Sequence, residues 1–172
     1  MIMKKNLLLL SLLALVLFSC GPKETTDTAI TYNDEMIAIQ TKVDNSLVDL
    51  LDAIDTFDEA TMLDAKKESL KVIEDAEKQI NAKADFDKKD DYKKEMLKLI
   101  GMYKTIINED LSDLIDMTLI YDQLTEEETD NYYTLYDTAL EKYEKAFDEF
   151  NAFQKKFSEE WKFTVTKEEE TK

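Results

Sequence analysis

The chain has 172 residues, with 39 acidic and 22 basic side chains, no His and a formal charge of −17 at pH 7. All basic residues are Lys, and there are two Gly, one Pro and one Cys. Without His, a Ser-His-Asp or Cys-His relay and the Glu-x-x-His di-iron sites of helical bundles are excluded. The negative balance argues against nucleic acid and anionic lipid as partners.

Zinc would find carboxylates alone, a poor donor set. No glycine-rich phosphate loop is present, and no cofactor is expected. Lys, Glu, Asp, Leu and Ala dominate, so the chain reads as helix nearly throughout.

Residues 1–19 read as a leader. Lys4 and Lys5 precede an apolar run from Leu7 to Phe18, broken by Ser11, and the run closes on Leu17-Phe18-Ser19-Cys20. A basic start, an apolar stretch and a small residue before the cut describe a secretory signal. The run is short of the roughly 20 apolar residues that span a bilayer. Its end resembles the lipobox of bacterial lipoproteins, with Leu17, Ser19 and Cys20 on the pattern and Phe18 bulkier than usual at the tolerant position. The resemblance implies diacylglycerol on the Cys20 sulfur, cleavage after Ser19 and acylation of the new amino terminus. The expected partner is then a membrane, held through Cys20. Two or more acyl chains anchor stably, at about 0.8 kcal/mol per buried CH₂. A lipidated Cys20 leaves no thiol for a disulfide or a metal.

Residues 20–31 are polar and Thr-rich, and are expected to form a flexible tether. Gly21 stands where many Gram-negative lipoproteins carry an Asp for inner-membrane retention, which points to the outer membrane. Lys23-Glu24 resembles the surface-export signals of bacteroidete-type lipoproteins. Asp27-Thr28-Ala29 resembles the O-glycosylation acceptor of the same bacteria, making Thr28 a candidate site.

Residues 32–163 carry four amphipathic segments. The first runs from a cap at Asn33 to Ile54. Met36, Gln40, Val43, Leu47, Leu50, Ile54 and Phe57 form its seam, and Ile37, Ile39, Val48 and Leu51 widen it. Thr56-x-x-Glu59 has the form of a capping box. The second segment reaches Ala82 with Met62, Leu63, Leu70, Ile73, Ala76 and Ile80, and its small Ser69 and Ala76 mark a close approach. The third starts at Asp87 or Asp90 and runs unbroken to Ile120, with Gly101 inside it as a point of close contact or a bend. Thr125-x-x-Glu128 is a second capping box. It opens a fourth helix to Trp161 with an aromatic stripe that includes Tyr132, Tyr136, Tyr143, Phe150 and Phe157. Phe163 is expected to pack back on the bundle, and residues 164–172 form an acidic tail.

Short connections between amphipathic helices predict an all-α, up-down-up-down four-helix bundle, with a three-helix coiled-coil-like arrangement as the alternative. The lipobox, the Tyr32-Asn33-Asp34 opening, Gln40 four residues past Met36 and the helix order resemble a small family of surface lipoproteins of spirochaetes and bacteroidetes. That family's function is uncharacterised. The resemblance implies a surface location and supplies no catalytic residue.

Two candidate sites remain. Asp85, Asp87 and Asp90, beside Asp91, cluster in a connection as a weak calcium site, although they lack the Gly and terminal Glu of an EF-hand loop. Tyr132, Tyr133, Tyr136 and Tyr143 are candidates for a ligand groove, Tyr133 above all if exposed. The leading functional expectation is a non-catalytic binding or interaction module on the outer membrane, facing the cell exterior. Its signature is an exposed aromatic patch rimmed by acids. The alternative is a periplasm-facing structural or assembly accessory, with uniformly charged faces. A carboxylate enzyme would need two buried acids in one cleft.

Overall fold

The computed structural model describes residues 24–165. Cys20, the lipobox and the tail from residue 166 lie outside the described residues. Five α-helices build an all-α four-helix bundle: α1 (Thr26–Ile54), α2 (Glu59–Ala82), α3 (Asp91–Asn108), α4 (Asp110–Thr118) and α5 (Glu126–Trp161). The third arm is α3 followed by α4.

Helix α1 starts seven residues before the expected Asn33. Thr25 caps it, its hydroxyl accepting from the Thr28 N–H at 3.3 Å while the Thr28 hydroxyl accepts from the Thr25 N–H at 2.8 Å. The expected tether is therefore helical from Thr26 onward. The reason is packing: Ala29 is fully buried and begins the stripe that continues through Met36, Val43, Leu47 and Leu50. Asn33 is buried in the interior and caps nothing. Val48 and, on α2, Leu63 face solvent instead of widening the buried stripe.

At the first turn the Thr56/Glu59 capping box does not form. Thr56 donates its hydroxyl to the Ala53 carbonyl (2.6 Å), and Asp58 caps α2 by accepting from the Thr61 N–H (2.8 Å). The close approach expected on α2 is present, since Ser69 donates to the Ser46 carbonyl of α1 at 2.7 Å. The connection to α3 is a tight turn with Asp87 at φ 49° and Lys88 at φ 61°, closed by the Lys89 N–H on the Phe86 carbonyl at 2.9 Å. It seats Phe86 edge-on against Phe157 and Trp161, at centroid distances of 5.4 and 5.0 Å.

The third arm is not continuous. It breaks at Glu109 (φ −106°, ψ −80°). The Asn108 side chain donates to the Lys104 carbonyl at 2.9 Å, the local competition with backbone pairing that disfavours Asn in helix interiors. Gly101 lies inside α3 and serves no close contact, since a Cβ there would meet nothing within 4 Å. Gly101→Ala is therefore expected to stabilise the fold by about 0.5–1 kcal/mol, the helix-propensity difference alone, read as a raised midpoint in urea.

Helix α5 opens with the expected capping box. The Thr125 N–H donates to Glu128 Oε2 at 2.8 Å, and the Glu128 N–H donates to the Thr125 hydroxyl at 3.3 Å. This bonding holds the Glu128 carboxyl below its usual range. The helix ends at Lys162 in the left-handed region, where the Phe163 N–H folds back onto the Ser158 carbonyl at 3.0 Å.

The arms alternate in direction, so each end of the bundle gathers its own connections. The proximal end holds the start of α1, the Phe86 turn and the close of α5, joined by Lys89 to Glu160 at 3.2 Å. The distal end holds residues 55–58 and 119–125, joined by the Phe57 and Tyr121 rings at 5.5 Å. Helix α1, with 29 residues, separates the two ends by about 43 Å at 1.5 Å per residue.

Candidate functional site: the distal aromatic tip

Phe57 follows the end of α1 with φ 56°. This left-handed position favours Gly by about 1 kcal/mol over a residue with a Cβ. The ring gains little burial in return, being 53% exposed. It meets Tyr121 edge-on at 5.5 Å, Tyr121 meets Tyr132 at 5.2 Å, and Tyr132 meets Tyr133 at 5.4 Å. The Tyr121 and Tyr133 hydroxyls close the group with a 3.0 Å hydrogen bond, which pushes the Tyr121 phenol up. Tyr132 is buried at the foot of the group, near the Thr118 hydroxyl at 3.4 Å. Tyr133 is 54% exposed at its top, and Leu119 and Ile120 in the same turn also face solvent. Asp55, Asp58, Asp122, Glu126 and Glu127 are exposed on the same two turns and the helix starts beside them.

Phe57→Gly separates strain from use. Relief of the backbone, about 1 kcal/mol, offsets the lost ring pair, about 0.5–1.5 kcal/mol. Thermal stability is therefore expected to change by less than about 1 kcal/mol while the tip loses the exposed Phe57 ring.

The four candidate tyrosines do not line one groove. Tyr132 and Tyr133 belong to the tip, and Tyr136 is half-buried against the core. Tyr143 lies ten residues beyond Tyr133, about 15 Å along the helix. It stacks on Tyr103 at 5.1 Å and donates to Asp44 at 3.5 Å. The helical period turns these side chains to different heights and faces of α5. Phe57 and Tyr121 belong to the site and were not foreseen. Their signal is an aromatic residue in each of two turns that an alternating topology brings to one end.

Asp85, Asp87 and Asp90 do not converge on a cation site. Asp85 pairs with Lys93 at 2.8 Å, and Asp90 with Lys94 at 2.8 Å. No group of three acids placed to hold a metal occurs among the described residues. The Lys94 partner holds the Asp90 carboxyl below its usual range. Thr28 is exposed but sits in the first turn of α1 with its hydroxyl committed to the cap.

A cleft of about 340 Å³ lies between α3 and α5, lined by Glu95, Lys98, Met102, Lys142, Lys145 and Glu149 among others. Two of its lysines are paired, Lys98 with Glu149 across the groove at 2.7 Å and Lys142 with Asp110 of α4 at 2.7 Å. Among the described residues Asp110 is the one buried acid.

Buried and partly buried phenols of the bundle resist ionisation. Burial, then the Asp44 carboxylate, pushes Tyr103 up. Burial also raises Tyr92, and burial with Asp85 and Glu35 pushes Tyr32 up to about 12. A raised folded pKa favours the folded state fully below the ordinary tyrosine value of 10.0. That contribution drains as pH rises through the folded value. Alkaline titration is therefore expected to unfold the protein cooperatively above pH 10, with tyrosinate absorbance and loss of helical circular dichroism rising together. Tyr103→Phe, which removes a buried hydroxyl without a hydrogen bond of good geometry, is expected to move that transition to higher pH.

No helix among the described residues is long and apolar enough to cross a membrane. No family model matches the chain, and no curated protein and no solved structure is similar to it.

Proposed function

We propose that the chain is an outer-membrane lipoprotein, anchored through Cys20 and facing the cell exterior. In this reading it acts as a non-catalytic interaction module through its distal aromatic tip. The observation that carries the reading is the tip itself. Phe57 and Tyr133 are more than half exposed, and one of them is kept on a strained backbone. Exposed rings held at a conformational cost, at the end of the bundle farthest from the amino-terminal side, suit contact with a partner and contribute little to the core. The lipobox supports anchorage on that amino-terminal side, so that α1 would hold the tip about 43 Å beyond its own start.

A non-catalytic role is supported by the acids. Asp110 is buried and paired with Lys142, so no two buried carboxylates face each other among the described residues. The second reading, a periplasm-facing accessory of the envelope, leaves the exposed rings without a purpose.

The test is protease treatment of intact cells making the full chain, beside a Cys20→Ala variant. Removal of the protein from intact cells, with loss of membrane association in Cys20→Ala, is the expected result. Protection until the outer membrane is opened would overturn the external location.

A further inference from the structure

We infer that the partner of the distal tip is a cationic polypeptide segment that lays Lys or Arg side chains over Phe57 and Tyr133 inside a rim of carboxylates. The inference rests on the reading of the chain as an interaction module and names the partner's chemistry.

Charge is segregated along the bundle. The stretches that fold into the distal half, residues 43–65 and 105–141, hold 7 and 11 acidic residues and no Lys, 18 acids in all. Outside them, the described residues 24–42, 66–104 and 142–165 hold 4, 9 and 5 acids and 1, 11 and 5 Lys, 18 acids against 17 Lys. The proximal half is thus close to neutral, and nearly all of the net charge sits in the distal half. Solubility does not require this arrangement, since dispersed charge serves equally well, and concentrating it adds self-repulsion. The apolar exposure follows the same division. Of the large exposed apolar side chains among the described residues, all but Met102 lie in the two Lys-free stretches.

Aromatic rings within an acidic field select among occupants. A second copy of this chain would set two fields of the same sign face to face. Nucleic acid, anionic glycans and anionic lipid meet the same repulsion. A neutral glycan would use the rings and gain nothing from the carboxylates. A guanidinium or ammonium group uses both, sitting over a ring face while the surrounding acids neutralise it. An extended chain can present several such groups, which suits rings and acids spread over two turns.

The test uses the full acylated chain in phosphatidylcholine nanodiscs. It is titrated calorimetrically with a short alternating Arg-Phe peptide and with Ser-Phe and Glu-Phe peptides of the same length. The expected result is that Arg-Phe binds at least about tenfold more tightly than either control. That preference should weaken as salt shortens the reach of the rim charges below about 10 Å. Phe57→Ser with Tyr133→Ser should lose about tenfold. Asp122→Asn with Glu126→Gln and Glu127→Gln, which spares the Glu128 cap, should lose about fivefold with a flatter salt dependence. Glu144→Gln with Glu159→Gln, exposed acids of the proximal half, should bind as the wild type does.

Equal binding of Ser-Phe and Arg-Phe overturns the cationic partner and leaves the interaction module standing. Arg-Phe binding that survives removal of the two rings also overturns it, as diffuse attraction. If no peptide binds, the cationic partner is overturned. An array of neutral oligosaccharides then decides the module reading: it stands if one binds the wild type and not the ring variant, and falls if none does.

Discussion

Asn33→Leu is expected to cost roughly 2–4 kcal/mol, by far more than its size suggests. Asn33 Oδ1 accepts two hydrogen bonds in the proximal core, from the Tyr92 hydroxyl at 2.8 Å and from Gln154 Nε2 at 2.9 Å. These bonds tie α1 to α3 and α5, and all three residues are buried. Leu fills similar space but accepts nothing, leaving two buried donors unsatisfied at about 1–3 kcal/mol each. For a chain of this size that corresponds to a fall of about 5–15 °C in Tm. The double variant Asn33→Leu with Tyr92→Phe should recover part of the loss, because one orphaned donor is gone. A double-mutant cycle on thermal unfolding measures the coupling. If Asn33→Leu unfolds at the wild-type temperature, the polar triad is not what joins the three arms.

Lys142→Met is expected to cost a similar amount, roughly 2–4 kcal/mol, at the middle of the bundle. Asp110 is 7% exposed. Both of its oxygens receive the Lys142 ammonium, at 2.7 and 2.8 Å. Breaking a buried pair by removing one partner strands a charge in poor solvent. Met keeps most of the apolar stem, so packing changes little. Asp110→Asn in the Lys142→Met background should restore part of the stability, since a neutral amide is less costly to bury than a lone carboxylate. The break at Glu109 starts α4 at Asp110, and Lys142 of α5 pairs with the carboxylate of that first residue. If Lys142→Met unfolds at the wild-type temperature, or Asp110→Asn restores nothing in its background, the buried pair does not hold this part of the bundle. Surface pairs such as Lys71 with Glu68, both largely exposed, should by contrast contribute well under about 1 kcal/mol.

Much of the bundle was legible in the sequence, because a buried helical face writes its period directly into residue type. The spacing of Met36, Val43, Leu47, Leu50 and Ile54 places them on one face, and all are buried. The Thr125 and Glu128 box was read from its spacing and is formed, since a cap needs only local geometry. Other local signals misled. The Thr-rich stretch before Asn33 suggested a spacer, yet Thr25 and Thr28 cap a helix whose next residues have a core to meet. Asn33 had the right type for a cap and is instead an interior acceptor. Asp85, Asp87 and Asp90 looked like ligands, and two of them are satisfied by lysines of α3, Asp85 by Lys93 eight residues on and Asp90 by Lys94 four residues on.

The sequence by itself determined the helical class, the core-facing positions and the excluded chemistries, because period, propensity and the absence of His are properties of the linear chain. The tertiary structure decided what shares an end. Phe57 and Tyr121 are 64 positions apart and make ring contact at 5.5 Å, because alternating helices of similar length return their turns to one place. The charge division has the same origin. Each of the two Lys-free stretches is flanked by Lys-bearing sequence, so the composition of the whole chain averages it away. Folding lays the two stretches side by side and concentrates their carboxylates around the exposed rings.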